Sequence, residues 1–273
     1  MCLAIIALNC MTDWPLIVIA NRDEFHNRPT LPAQPWTDAK DILGGRDLNA
    51  GGTWLGMTAT GRFALLTNYR EPGRNDPQAP SRGQLTELFL RGESFAQEYV
   101  QDLQKRGHAY NGFNLLLGDV SGVWYCSNRG EVPAQQLDAG VIGVSNASLD
   151  TPWPKLNRTK RAVSELILDK KSPVSFKPDS FFDIMLDTRS ACAHALPETG
   201  LGLEREKLLS SPFIKNEHYG TRCTTLIMQR SDGLVRFQEK RFDSQGLGSG
   251  ESHWTIDPKK QEIAPGTHDR FGF

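Results

Sequence analysis

Cys2 directly follows the initiator methionine, so removal of Met1 would leave a thiol and an α-amine on one residue. An α-amine titrates near ~7.7–8.0, and at neutral pH part of it is free to accept a thiol proton. Further along stands the tetrad Asn21-Arg22-Asp23-Glu24, immediately after an apolar run. An arginine beside a cysteine favours thiolate over thiol, and a carboxylate there can hold an ammonium or orient the guanidinium. Alone, a small residue after Met usually has no role, and a charged tetrad is usually a solvated turn. Their relative position decides between the two readings.

That position follows from the elements. Residues 3–8 and 16–20 are short Ile- and Val-rich runs around a polar turn containing Asn9, Thr12 and Asp13, the pattern of a buried antiparallel hairpin. Antiparallel pairing brings Cys2 and Arg22 to the same end of the sheet. Residues 28–36, with three prolines, read as an extended loop. Residues 53–58 and 62–68 read as a second hairpin, approached through Gly44, Gly45, Gly51 and Gly52, glycines that suggest close backbone approach.

Helices are expected at 83–90, with Ser81 as N-cap, and from Ser94, with Gln97 at capping-box spacing and Phe95, Tyr99 and Leu103 on one face. Strands return at 113–117, 123–126 and 141–144, helices at 155–168 and 181–186, and a last hairpin at 224–229 and 234–242. The tail from Gly246 carries no clear pattern. Strands, then helices, then strands is an α+β order, and one domain over residues 1–273 is expected.

Composition narrows the function. The 273 residues carry 31 Lys+Arg against 32 Asp+Glu, a net charge of −1, with 38% hydrophobic and 23% charged residues. This is globular composition without a basic footprint, so nucleic acid is not an expected partner. The apolar stretch at 14–20 falls far short of the ~20 residues of a membrane helix. The first basic residue is Arg22, which argues against a secretory signal. Five cysteines (Cys2, Cys10, Cys126, Cys192, Cys223) form no C-x-x-C pair, and a cytoplasmic protein with reduced thiols is expected. Apart from Cys2 they read as buried fillers. His26 adjoins the tetrad; His108, His194, His218, His253 and His268 show no metal spacing.

The ordered set of motifs resembles the NRDE family, also called the transport and Golgi organization protein two family. It comprises Met1-Cys2, the tetrad with Phe25 and Arg28-Pro29, Gly45-Arg46-Asp47, GGTWLG at 51–56, Leu66-Thr67-Asn68, Ser81-Arg82-Gly83, residues 112–116, Gly118-Asp119, Ser145-Asn146, 152–155 and 219–222. That family is similar to N-terminal nucleophile (Ntn) hydrolases, above all choloylglycine hydrolases and acid amidases. The resemblance implies a four-layer αββα sandwich of mostly antiparallel sheets and a cysteine nucleophile, Cys2.

It further implies an arginine–aspartate pair near the end of the second strand. Arg22 matches, and the aspartate's counterpart is one of Asn21, Asp23 and Glu24, because here the two types are adjacent rather than two residues apart. Asn68 and Asn146 correspond to the asparagines that bind substrate and meet the oxyanion, and Arg222 to a final arginine by the cysteine. Glu24, His26, Trp54, Trp153 and Asn21 are candidates for lining the substrate site.

Two functions follow. One is hydrolysis of a non-peptide C–N bond in a small amphipathic amide through a Cys2 acyl-enzyme, with no cofactor and no metal. The other, from the family's links to haem trafficking and to acyl-CoA or lipid metabolism, is a carrier with haem or an acyl-CoA in the same pocket. Fold likeness alone does not choose between them.

Overall fold

Alternation along the first strand sets the architecture. Leu3, Ile5 and Ala7 face one apolar layer, and Ala4 and Ile6 face another, so this strand is buried on both sides. The computed structural model describes residues 2–130, 134–168 and 177–266. Met1, whose removal is expected, and His268 lie outside the described residues.

In chain order the elements are β1 (Cys2–Leu8), β2 (Leu16–Phe25), β3 (Thr30–Trp36), β4 (Ala39–Asp47), β5 (Leu55–Thr58), β6 (Phe63–Asn68), α1 (Gly83–Arg91), α2 (Ala96–Arg106), β7 (Phe113–Asp119), β8 (Gly122–Ser127), β9 (Gln135–Gln136), β10 (Gly140–Val144), α3 (Pro154–Leu168), α4 (Pro178–Met185), α5 (Leu203–Leu208), β11 (Tyr219–Gln229), β12 (Val235–Phe242), β13 (Gly248–Asp257) and β14 (Glu262–Pro265). They form two seven-stranded sheets, ordered β10-β1-β2-β11-β12-β13-β14 and β3-β4-β5-β6-β7-β8-β9. The ladders of both are antiparallel.

Three cores define four layers. Between the sheets lie Ala4, Ile6 and Val18 against Leu43, Met57, Phe63 and Leu65. Leu156 and Val163 of α3 and Phe181 and Phe182 of α4 cover the outer face of the first sheet. Leu85 and Phe89 of α1 and Val100 and Leu103 of α2 cover the second. Each such fully buried side chain contributes roughly 1.5–3 kcal/mol relative to exposure. The layer order is αββα, as expected. Among the described residues no helix is long and apolar enough to cross a membrane.

Several boundaries differ from the sequence reading. β2 runs on through the tetrad to Phe25, because β11 pairs with it along its whole length and supplies partners for the polar side chains. Residues 30–36 form a strand despite their prolines. β3 is the terminal strand of its sheet, and its pairing with β4 slips around Pro32 and Pro35, where a missing N–H is tolerated. The tail extends the first sheet beyond β12 as β13 and β14.

α1 follows Arg82 without a side-chain cap, Ser81 contributing only its carbonyl. α2 starts after Phe95, whose N–H is held by Glu98 Oε2 at 3.0 Å. Phe95 itself is exposed while Tyr99 and Leu103 are buried. Of the presumed filler cysteines, Cys126 and Cys223 are buried, Cys10 is half-buried and Cys192 is exposed. The glycine reading holds at Gly52, where φ is +74° and a Cβ would meet the Gly83 carbonyl oxygen at 2.3 Å.

Candidate active site

Pairing of β1 with β2 sets Cys2 directly opposite Arg22, and β11 sets Cys223 opposite Arg22 on its other side. β12 then adds Arg241 opposite Cys223. Residues directly opposed in antiparallel strands share a face, so Cys2, Arg22, Cys223 and Arg241 form one row across four strands. Cys2 keeps the parity of Ala4 and Ile6 and faces the space between the sheets. There it lines a cavity of about 430 Å³ together with Arg22, Asp23, Glu24, Arg28, Asp47, Trp54, Asn68 and Arg82.

Burial pushes the Cys2 thiol up, and the charge of Asp23 adds to this; Arg22 and a hydrogen bond from the Asp23 main chain favour the thiolate. At rest the sulfur is therefore a thiol that needs a proton acceptor. The Arg22 guanidinium, 5% exposed, stacks on Trp54 at 4.3 Å and approaches Asp47 Oδ2 at 3.9 Å. Trp54 is seated against Gly45, where any Cβ would strike its ring. Asp47 also accepts from Arg28 Nε at 2.7 Å. Asp23 is buried, its Oδ1 accepting from Thr221 Oγ1 at 2.7 Å and its carbonyl from the Tyr219 hydroxyl at 2.9 Å. Burial pushes its carboxyl up, while the buried Lys155 charge pulls it back. Glu24 lies 3.9 Å from Arg28 on the cavity rim.

The other candidates lie elsewhere. Asn21 points to the helix side of the sheet: its Nδ2 donates to the carbonyls of Met185 and Pro212, both at 3.0 Å, and its Oδ1 accepts from Thr224 at 2.6 Å. Asn146 is fully buried, with Nδ2 on the Asn68 carbonyl at 2.9 Å. It therefore supports Asn68 from behind and does not line the cavity. Arg222 occupies the bulge in β11 and donates Nη1 to the carbonyls of Phe25 and Arg28 at 2.8 and 3.2 Å, outside the Cys2 cavity. His26 contacts the Asn216 carbonyl at 3.0 Å, and Trp153 stacks under Arg70 at 4.5 Å. Cys2, Arg22, Asp23, Glu24, Trp54 and Asn68 are brought together; Asn21, His26, Asn146, Trp153 and Arg222 are not.

Sequence reasoning missed Arg28, Asp47 and Arg82 in the cavity wall and the groups behind it. Lys155, in the first turn of α3, is 1% exposed, and its Nζ has no hydrogen-bond partner. Burial pulls it down to about 8, opposed by Asp23, with Arg70 adding to the depression and Cys2 and Glu206 opposing it. The signal available was its place in the 152–155 motif, since a lysine on an amphipathic helix otherwise reads as solvated.

A lysine whose folded value lies below its unfolded one binds fewer protons in the folded state. Its charge penalty is thus fully present below about 8 and relieved as pH rises toward 10.5. Lys155→Met has no such proton, so the stability of the wild-type chain relative to this variant is expected to rise between pH 8 and 10. Urea midpoints of both proteins at the two pH values check this, and a constant difference contradicts it.

The comparisons agree with the motif set. The family model described as Transport and Golgi organisation 2 matches residues 1–244. The chain is 36% identical over 251 residues to the human Transport and Golgi organization protein 2 homolog, covering 88% of this chain and 89% of that one. It is 35% identical over 254 residues to the mouse homolog, with the same coverage. With the Drosophila melanogaster protein it shares 26% over 255 residues, covering 83% and 86%.

Among solved structures it is similar to the C2A mutant of the conjugated bile acid hydrolase of Clostridium perfringens, with TM-score 0.44, 10% identity, and 99% and 98% of the two chains covered. It is also similar to a Caenorhabditis elegans N-acylethanolamine-hydrolyzing acid amidase ortholog, with TM-score 0.38, 11% identity, and 82% and 92% covered. On the match of its family model and the identity to its animal relatives, the chain belongs to the Transport and Golgi organisation 2 family.

Proposed function

We propose that this chain hydrolyses the C–N bond of a small amphipathic amide through an acyl-enzyme on Cys2. The observation that carries the reading is a cleft of two chemistries. The polar cavity at the thiol, about 430 Å³, shares Glu24, Arg28, Asn68, Asn75 and Arg82 with a neighbouring cavity of about 680 Å³. Phe25, Leu201, Leu208, Leu209 and Tyr219 wall the second cavity. An apolar tail would rest there while its polar amide reaches the sulfur.

In this scheme Sγ attacks the carbonyl carbon, the C–N bond breaks, and the nitrogen leaves as an amine with the proton lost by the thiol. Water then attacks the thioester carbonyl, the C–S bond breaks, and the acyl group leaves as a carboxylic acid as the thiol is restored. The acceptor in transit is the Cys2 α-amine once Met1 is removed. The Asn68 amide, at the cavity wall, is the side chain suited to the carbonyl oxygen as charge builds on it. The free cysteines support a cytoplasmic setting for the reaction.

A carrier role for haem or an acyl-CoA is the second reading. It is favoured by the burial that keeps the thiol protonated and by His218 on the wall of the apolar cavity. Acyl-enzyme trapping separates the two. The protein is quenched after exposure to a panel of N-acyl glycines and N-acylethanolamines, and its peptides are mapped by mass. A hydroxylamine-labile acyl group on Cys2, with release of the matching amine, is the expected result. Neither adduct nor amine across the panel, with a Soret shift on haem addition, would overturn it in favour of the carrier.

A further inference from the structure

A smaller cavity of about 250 Å³ borders the same partition of Arg22 and Trp54. Arg222, Cys223, Glu239 and Arg241 complete its charged and polar wall, with residues 30–32 of β3 closing it from the other sheet. Arg22, Cys223 and Arg241 are consecutive members of the cross-strand row, and Arg222 joins them because the β11 bulge releases it from the regular alternation. Three guanidiniums thus surround a cavity that holds a single carboxylate.

That carboxylate is already engaged. Glu239 Oε1 accepts from the Ala33 N–H at 2.9 Å and lies 3.5 Å from Arg241 Nη1. Burial pushes its carboxyl up, which weakens it as a counter-charge. The Arg22 guanidinium, by contrast, keeps unused capacity. Arg22 is nineteen-twentieths buried, yet its Nη1 has no hydrogen-bond partner. Arg222 commits Nη1 to two main-chain carbonyls, and Arg241 commits its terminal nitrogens to Ser252 Oγ at 2.7 Å and the Glu251 carbonyl at 3.2 Å. Burial pulls Arg222 down, and the charge of Arg22 adds to that strain. A buried donor on a charged group without an acceptor is costly. An oxyanion in the cavity would satisfy it and offset the repulsion among the three arginines.

We infer that this cavity binds a small oxyanion, a phosphate or carboxylate group, held by Arg22, Arg222 and Arg241 beside the nucleophile's cavity. The site goes beyond the hydrolase reading and needs no turnover, so Cys2→Ala protein should bind the anion as the wild-type chain does. Either a free ion or the anionic end of a larger molecule supplies the same chemistry.

The test is calorimetric titration of the full chain with inorganic phosphate at ionic strength held constant with chloride. A saturable one-site isotherm with Kd of about 1 mM or tighter is expected. Arg222→Gln and Arg241→Gln should each weaken it at least about fivefold. They are tested separately, with circular dichroism to confirm folding, so that either one decides if the other does not fold. No saturation by about 20 mM phosphate, or unchanged affinity in the folded variants, overturns the site.

A second arm uses the wild-type chain alone. Saturating phosphate should slow Cys2 alkylation by anionic iodoacetate and leave neutral iodoacetamide unaffected. Equal slowing of both would put the phosphate in the Cys2 cavity and overturn a separate site. Phenyl phosphate binding at least about fivefold tighter than phosphate supports the site as a seat for the end of a larger ligand; equal affinity supports a free-ion site.

Discussion

Cys2→Ala is expected to lower amide turnover by about 10⁴-fold or more while leaving the fold and the capacity to bind an amphipathic amide in place. The loss is large because, among the described residues, Cys2 is the one cysteine that lines the cavity. Cys126 and Cys223, both buried, are pushed well up, Cys126 to about 12, and Cys223 points into the neighbouring basic cavity. The structural effect is small for reasons of placement. Cys2 opens β1, its carbonyl still accepts from Ser145 Oγ at 3.0 Å, and its pairing with Arg22 is made by the main chain. Removing one sulfur that borders an existing polar cavity enlarges that cavity instead of opening a new void in the core, so a stability change within about 1 kcal/mol is expected. Amine release under saturating substrate, with a urea midpoint on the same preparation, checks both halves. Residual turnover within tenfold of the wild-type rate would show that the sulfur is not the nucleophile.

The same placement shows which parts of the molecule were legible in the sequence. β1 and the first half of β2 were, because runs such as Ile5-Ile6 and Ile17-Val18-Ile19 have no stable home except a strand covered on both faces. The second half of β2 was not. Asn21, Arg22 and Asp23 look like the end of a strand, yet all three are buried inside one. The β11 partners of Asn21 and Asp23, Thr224 and Thr221, lie some two hundred residues away, so nothing local marks the continuation. β3 was hidden by its prolines, which its terminal position tolerates. β13 and β14 were hidden by the polarity of strands that are largely half-buried or exposed.

The candidate site divides along similar lines. Residue types fixed by one short motif, Cys2 and the Arg22-Asp23-Glu24 segment, converge as the hairpin requires. Of the residues assigned by correspondence alone, Asn68 reaches the cavity, whereas Asn146 and Arg222 depend on details no pattern encodes. A bulge rotates Arg222 out of the row, and the Asn146 amide turns to the Asn68 carbonyl. Lys155 illustrates the remaining difficulty: a buried charge is invisible to hydropathy until the carboxylate facing it is known. Here that carboxylate is Asp23, on a different layer of the sandwich.

Glu206→Ala is expected to be the most destabilising single change near the site, at about 3–5 kcal/mol. Arg70 Nη1 meets Glu206 Oε2 at 2.6 Å with both side chains nearly fully buried, at 4% and 5% exposure. Burial pulls Arg70 down, and Glu206 is the strongest influence opposing it. Truncation would leave a guanidinium with two other nitrogens, Nε and Nη2, already lacking partners. It would also orphan the Thr199 N–H, which Glu206 Oε1 accepts at 3.0 Å. Glu206→Gln keeps the acceptor and should cost less than half as much. Because a well-packed apolar pair can replace a buried ion pair, Arg70→Met with Glu206→Leu should recover most of the loss.

The consequence reaches the cleft through α5, which carries Glu206 and lies among Leu201, Arg205, Leu208 and Leu209, residues of the apolar cavity wall. With its anchor gone, this segment should open to protease before the sheets do, and apolar ligands should bind more weakly while iodoacetamide still reaches Cys2. Urea midpoints for the single and double variants, with limited proteolysis mapped to residues 196–216, measure both effects. A loss below about 1 kcal/mol for Glu206→Ala would mean that water screens the pair as it does a surface salt bridge, and that the wall of the apolar cavity is held by its leucines alone.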